Sequence, residues 1–324
     1  MTGTPATKEH TPMTFQIRFT DAPLGHEICG IDLSQPLDDA DFAAVEDAYD
    51  RYGVVVLRNQ DITPDQQLAF SKRFGPLDRY ILDRYNLKSH PEIFVVSNIL
   101  GDDGEPIGLG DAGRYWHTDM WSVPAPPRGS FLYAIEVPEK DGVVYGDTYF
   151  SSTQAAYDAL PQALRETIEG REALYSSKRL VDFRVTAAQS QKGALSKEEI
   201  DGMKERSKNM LQEITHPLVR IHPRTGRKCI YYSEGAIAGI VGMPQDEADE
   251  VLESVRQHLL KPEFIYRHRW AAGDLVMWDN CSCIHKATGD FELPLRRRMH
   301  RTTLHGSVPI PAGAARDSAQ AQAA

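Results

Sequence analysis

Cysteine is scarce. The 324 residues contain four, too few for a disulfide scaffold. Cys29 and Cys229 stand alone, and Cys281 and Cys283 form one C-x-C with no second pair to complete a zinc site. They are expected as reduced thiols that pack like small apolar side chains. No apolar run approaches the roughly 20 residues that cross a bilayer. The opening MTGTPATKEHTPMTF lacks the charged-then-apolar order of a signal peptide, so the expected compartment is the cytoplasm. Positive charge is also short, with 36 Lys+Arg against 46 Asp+Glu and a net charge of −10 at pH 7. That balance argues against nucleic acid or an anionic membrane as partner, since both reward dense positive charge. Gly/Ser linkers and internal repeats are missing too. A single domain over 14–308 is the expectation, between a flexible 1–13 and a disordered tail over 309–324.

What is there is a globular composition, 41% apolar and 25% charged. Three- and four-residue apolar spacing predicts helices over 38–52, 64–74, 153–169 and 245–260. A further helix is expected over 196–211, opened by Ser196 with an acidic residue three positions on. That stretch is highly charged, and 181–212 is expected to be an insertion or lid. β-rich runs at 54–58, 93–97, 130–137, 216–223, 228–233 and 274–279 are separated by Gly, Pro and Asp turns. This pattern favours an antiparallel sandwich or barrel with helices packed around it, an α+β but mainly β fold.

Three features carry chemistry. In Trp116-His117-Thr118-Asp119, a strand would project His117 and Asp119 to one face, where both can grip one metal ion. Tyr115, Trp116 and Trp121 would wall that site. His285 follows the run Gly273-Asp274-Leu275-Val276-Met277-Trp278-Asp279-Asn280. Two histidines and a carboxylate make the facial set used by non-haem Fe(II). The third feature is the cluster Arg296, Arg297, Arg298 and Arg301. On a strand Arg297 and Arg301 share a face, and paired inward guanidiniums call for anions such as a dicarboxylate.

The order H-x-D, Gly146-Asp147-Thr148, His285 and then Arg297 resembles the TauD/TfdA family of Fe(II)- and 2-oxoglutarate-dependent dioxygenases. The resemblance runs from about Ile17 to about Gly306. It includes Gly25-His26-Glu27-Ile28-Cys29-Gly30, Tyr52-Gly53-Val54-Val55-Val56, Arg73-Phe74-Gly75 and His216-Pro217-Leu218-Val219. It implies a double-stranded β-helix (jelly-roll) core, with Fe(II) on His117, Asp119 and His285. It implies 2-oxoglutarate and O2 as cosubstrates, released as succinate and CO2 while the prime substrate is oxidised. The far carboxylate of 2-oxoglutarate would meet Arg297 and Thr148. Arg301 and Tyr80 would meet the prime substrate, a small to medium organic acid. The gap after His285 leaves Arg296 open as the alternative to Arg297, and the spacing of four to Arg301 favours Arg297. Related enzymes commonly form dimers or tetramers. Two other readings remain: a zinc-dependent hydrolase on the same three ligands, and a non-catalytic jelly-roll binding protein.

Overall fold

The computed structural model describes residues 15–79, 83–110, 113–190, 201–202, 205 and 213–313. The first elements are β1 (Gln16–Arg18), β2 (His26–Cys29), α1 (Asp39–Tyr52), β3 (Val54–Leu57) and α2 (Pro64–Lys72). Then come β4 (Leu77–Asp78), β5 (Asn86–Leu87), β6 (His90–Ser97), β7 (Gly129–Glu136), β8 (Glu139–Lys140), β9 (Val143–Val144) and β10 (Thr148–Ser152). The middle carries α3 (Thr153–Asp158), α4 (Gln162–Ile168), β11 (Glu172–Ser176), α5 (Ser177–Ser190), β12 (Glu213–Pro217), β13 (Val219–Ile221), β14 (Lys228–Ile230) and β15 (Ile237–Ile240). Last are α6 (Gln245–Leu259), β16 (Ile265–His268), β17 (Leu275–Asp279), β18 (Cys283–Ala287), β19 (Arg298–Leu304) and β20 (Ile310–Pro311).

The helix ends follow local chemistry. Asp38 caps α1 by accepting from the Asp41 amide, and Gly53 ends it at φ 68°, a left-handed turn that favours glycine. Thr63 and Gln66 form a reciprocal capping box at α2, with Pro64 in the first turn. The single helix expected over 153–169 is two helices. Pro161 lacks an amide hydrogen and disfavours helical backbone at Leu160, so the chain breaks there and restarts as α4. Of the expected lid, 181–190 continue α5, and all of 191–212 except 201–202 and 205 lies outside the described residues. The expected 196–211 helix therefore also falls outside them, apart from those three residues. The tail does not begin at 309: β20 pairs with β13, and Ala312 is 1% exposed in the core. The amide of Ala312 donates to Val219 O, and this pairing is what holds residues expected to be loose.

A large sheet runs β1-β2-β3-β17-β7-β19-β6-β5, with β4 attached to β19. Alternation sorts its two faces. Val55, Leu57, Phe131, Tyr133, Leu275 and Met277 pack against Val45, Tyr49, Phe70 and Phe74 of α1, α2 and the turn after α2. The intervening Val54, Val56, Leu132, Ala134, Val276, Trp278 and Met299 face inward and meet Phe150 and Cys283 of a second sheet, β16-β10-β18. A third core lies under α3 and α6, between β11–β15 and Ile284. Two sheets face to face, antiparallel except for β2–β3, make the jelly roll. The space between them opens where the inward residues are polar.

Candidate active site

His117 and Asp119 are brought together by a turn, not by the strand the sequence suggests. His117 forms one antiparallel bridge to His285, with N···O distances of 3.0 and 2.9 Å. The chain then turns through Met120, at φ 46°. Thr118 points the other way and donates its hydroxyl to the Asn280 carbonyl at 3.0 Å. The result is a compact donor set. Nε2 of His117 and Nε2 of His285 each lie 3.9 Å from Oδ1 of Asp119. All three donor atoms fall within 4.8 Å of one another.

Each donor is aimed by a neighbour. Nδ1 of His117 lies 2.8 Å from the Tyr115 carbonyl, so it carries the ring hydrogen and Nε2 keeps its lone pair. Ser130, inward-facing on β7, donates to Oδ2 of Asp119 at 2.8 Å and leaves Oδ1 to the histidines. The Asp119 amide reaches Oδ1 of Asn280 at 3.4 Å. The His285 ring sits 4.8 Å from Trp278 and stacks on Phe150 at 5.9 Å. Gly113, at φ 71°, passes so close that a Cβ would stand 2.6 Å from Cε1 of His117.

Burial pushes both imidazoles toward the neutral form, His285 down to about 3. Burial alone would raise Asp119, but Arg301, the two histidines and Ser130 hold it below the ordinary carboxylate range. Neutral imidazoles beside an ionised carboxylate are the protonation states a divalent cation requires. Two nitrogens and one oxygen on one side leave the other side open, so these residues fit non-haem Fe(II).

The arginines resolve by strand parity. Arg296 is exposed and pairs with Glu136 at 2.8 Å, whereas Arg297 is 7% exposed and faces inward with Met299 and Arg301. Nη1 of Arg301 lies 3.6 Å from Oδ1 of Asp119, and its guanidinium covers the Phe94 ring. The Arg297 guanidinium lies over the rings of Trp270 and Phe291, at 5.8 and 5.7 Å from their centroids. Burial pushes it down to about 10, partly countered by Asp290 and Asp147, and its Nε has no acceptor among the described residues. One cavity joins these groups. Thr148, His285 and Ala287 of the small sheet line one wall, and Val96, Leu132, Trp278 and Arg301 of the large sheet, with Arg297 just before β19, line the other. His117 and Gly113 close its edge.

Tyr80 lies outside the described residues. Of the three expected aromatic walls, Tyr115 stays beside His117, with 5.0 Å between ring centroids. Trp116 and Trp121 instead turn into the core under the helices, where Trp121 stacks on Tyr175. The irregular path through the turn sends successive side chains to opposite sides, and Trp278 takes the wall position. Ser130, Asn280 and Gly113 were not singled out from sequence. Only Asn280 carried a signal, as the last residue of the Gly273–Asn280 word. A second acid–histidine group, Asp50, His222 and Asp279, is taken up internally. Arg128 and Arg224 bind Asp50, and Asp279 accepts from His222 and from the Cys281 and Ser282 amides. It pins the turn that leads into β18.

A jelly roll that groups two histidines with one aspartate, beside a cavity reached by the buried Arg297 and the half-buried Arg301, defines a non-haem iron oxygenase of the 2-oxoglutarate-dependent class. The Taurine catabolism dioxygenase TauD, TfdA family matches residues 9–303, and the chain belongs to that family. It is 32% identical over 292 residues to the alpha-ketoglutarate-dependent 2,4-dichlorophenoxyacetate dioxygenase of Cupriavidus pinatubonensis, covering 86% of this chain and 93% of that protein. It is 34% identical over 287 residues to pentalenolactone F synthase of Streptomyces arenae, covering 86% and 91%. The crystal structure of AAD-2 in complex with Mn(II) and N-oxalylglycine superposes with a TM-score of 0.69 at 30% identity, over 92% of this chain and 99% of that one. The protein is an Fe(II)- and 2-oxoglutarate-dependent dioxygenase, which sets aside the zinc hydrolase and the non-catalytic binding protein.

Proposed function

We propose that His117, Asp119 and His285 hold the Fe(II), and that Arg297 with Thr148 takes the far carboxylate of 2-oxoglutarate. Arg301 takes an anionic group of the prime substrate. The observation that carries this reading is that Arg297, just before β19, and Arg301, within it, line the same cavity as Thr148 and His285. Bound iron and 2-oxoglutarate supply O2 activation, with loss of CO2 and formation of succinate. The chain's own contribution is placement. His117 and His285 present lone pairs, Ser130 orients Asp119, and Val96, Leu132 and Trp278 keep the cavity apolar around the bond to be oxidised.

The substrate is a small to medium organic acid, bound by Arg301 through its carboxylate or sulfo group with its apolar part against Val96 and Leu132. The similarity to a 2,4-dichlorophenoxyacetate dioxygenase supports an acid with a ring or chain beside an ether-type oxygen. Hydroxylation next to such a heteroatom gives a product that falls apart by C–O or C–S cleavage. Succinate formation from 2-oxoglutarate, Fe(II) and ascorbate across a panel of such acids tests the reading. Stimulation by at least one acid over the acid-free rate is expected; turnover with zinc alone, indifferent to 2-oxoglutarate, would overturn it. All four cysteines are unpaired, in keeping with a reducing cytoplasm. A homo-oligomer, dimer or tetramer, completes the proposal and is checked by light scattering. No helix among the described residues is long and apolar enough to cross a membrane.

A further inference from the structure

Trp270 touches both residues assigned to the far carboxylate. Its indole N–H donates to Thr148 Oγ1 at 3.0 Å, and the Arg297 guanidinium lies 5.8 Å from its ring centroid. The side chain is 2% exposed, so neither contact competes with bulk water.

The two contacts act differently. A threonine hydroxyl offers one hydrogen and two lone pairs. With the indole N–H on one lone pair, the hydroxyl's own hydrogen must point away from Trp270. Among the described residues it finds no protein acceptor, and Thr148 lines the cavity, so the hydrogen is available to an anion there. The ring face acts on the arginine. A guanidinium over two ring faces is held in place by attraction to them, with its N–H groups left to donate in its own plane. Trp270 and Phe291 form those two faces. Without them, a buried arginine on a long flexible stem would have several rotamers open to it.

Trp270 is itself held rigidly. The His268 ring meets it edge-on at 4.5 Å. Oδ2 of Asp274 takes His268 Nε2 at 3.1 Å, the Ala271 amide at 2.8 Å and Arg58 Nη1 at 2.6 Å. One carboxylate oxygen thus ties both sides of the turn that carries Trp270.

We infer that Trp270 is a positioning residue for the far carboxylate of 2-oxoglutarate: its N–H turns the Thr148 hydroxyl into the cavity and its ring sets the plane of Arg297. The inference rests on the proposed assignment of that carboxylate to Arg297 and Thr148. Because it concerns only that end of the molecule, it predicts discrimination between oxo acids and not a general loss of binding.

Calorimetric titration of the Mn(II)-loaded protein with 2-oxoglutarate, and with 2-oxobutyrate, which has no far carboxylate, provides the test. Trp270→Phe keeps a ring and removes the N–H. It should raise the Kd for 2-oxoglutarate about three- to tenfold, the worth of one hydrogen bond, and leave that for 2-oxobutyrate unchanged. The part acting through Thr148 should vanish when Trp270→Phe is made on top of Thr148→Val. Equal losses for the two oxo acids, no loss for either, or full additivity with Thr148→Val would overturn the inference. Thr148→Ser serves if Trp270→Phe does not fold. The serine keeps a hydroxyl for Trp270 to orient, so it should preserve most of the discrimination that Thr148→Val loses; identical behaviour of the two would also overturn it. Failure of the underlying assignment looks different, because Arg297→Ala would then leave the preference for 2-oxoglutarate over 2-oxobutyrate untouched.

Discussion

The backbones of His117 and His285 exchange both hydrogen bonds of a single antiparallel bridge, at 3.0 and 2.9 Å, while their side chains converge on one carboxylate oxygen. The same residues therefore tie two distant segments together and carry two of the three proposed metal donors. On the proposed assignment, metal affinity is expected to depend on that bridge as well as on the imidazoles.

Removing a donor should abolish the site. His117→Ala or Asp119→Ala is expected to weaken Fe(II) or Mn(II) binding by more than about a hundredfold, since losing even an outer partner of a ligand costs 10–100-fold. Ser130→Ala provides the graded case. It deletes only the hydrogen bond to Oδ2 of Asp119, and about a tenfold loss of metal affinity is expected. Titration of the metal-free proteins reads both, and wild-type affinity in either ligand variant would remove the triad.

Neighbouring arginines should differ sharply. Arg297 is buried without a carboxylate partner among the described residues, whereas Arg296 is exposed and paired with Glu136. Arg297→Ala should raise the KM for 2-oxoglutarate about 10- to 100-fold, as expected for a charge-assisted bond in a closed site. Arg296→Ala should change it less than about threefold, because exposed ion pairs contribute little. The opposite ranking would place the inward register one residue earlier.

Arg301 should discriminate between ligands. Arg301→Lys keeps the charge but loses the planar fork, so the KM for an acidic prime substrate should rise more than that for 2-oxoglutarate, by about tenfold against twofold. Parallel changes in both constants would show that Arg301 acts on Asp119 alone, the neighbour it already approaches at 3.6 Å.

Acid should destabilise the protein through His300. Burial pushes this histidine down to about 4, helped by Arg298 and His90. Its folded pKa lies below the unfolded value near 6.5, so the unfolded chain binds the proton more tightly. The contribution of the neutral ring is complete above about pH 6.5 and is lost as pH falls from there toward 4. Across that window this group alone should lower stability by at most about 1.4 kcal/mol per pH unit. Urea midpoints at pH 7 and pH 5 should fall less far apart in His300→Gln than in the parent. An unchanged difference would assign the acid sensitivity to other groups.

Much of the site was legible because its information is local. Three- and four-residue apolar spacing marks α1, α2 and α6, and short runs rich in β-branched and aromatic residues mark β3, β6, β7 and β17. The proposed metal ligands show in His117-Thr118-Asp119 and in the approach to His285, since only certain side chains bind iron. The supporting groups were not legible, because their partners are distant. Trp270 meets Thr148 across 122 positions, and Asn280 meets Asp119 across 161. A serine such as Ser130 has no chemistry of its own that marks it out until Asp119 is placed beside it.

The amino-acid sequence by itself determined the donor types, the four-residue spacing of Arg297 and Arg301, and the mainly β character of the chain. These follow from side-chain chemistry and short-range periodicity. Only the tertiary structure decided that His117 and Asp119 meet through a turn, that Trp116 and Trp121 leave the site, and that Arg297 rather than Arg296 faces the cavity. Those outcomes depend on pairing with remote strands. The register of β19 against β6 and β7 assigns every side chain of that strand to one face or the other.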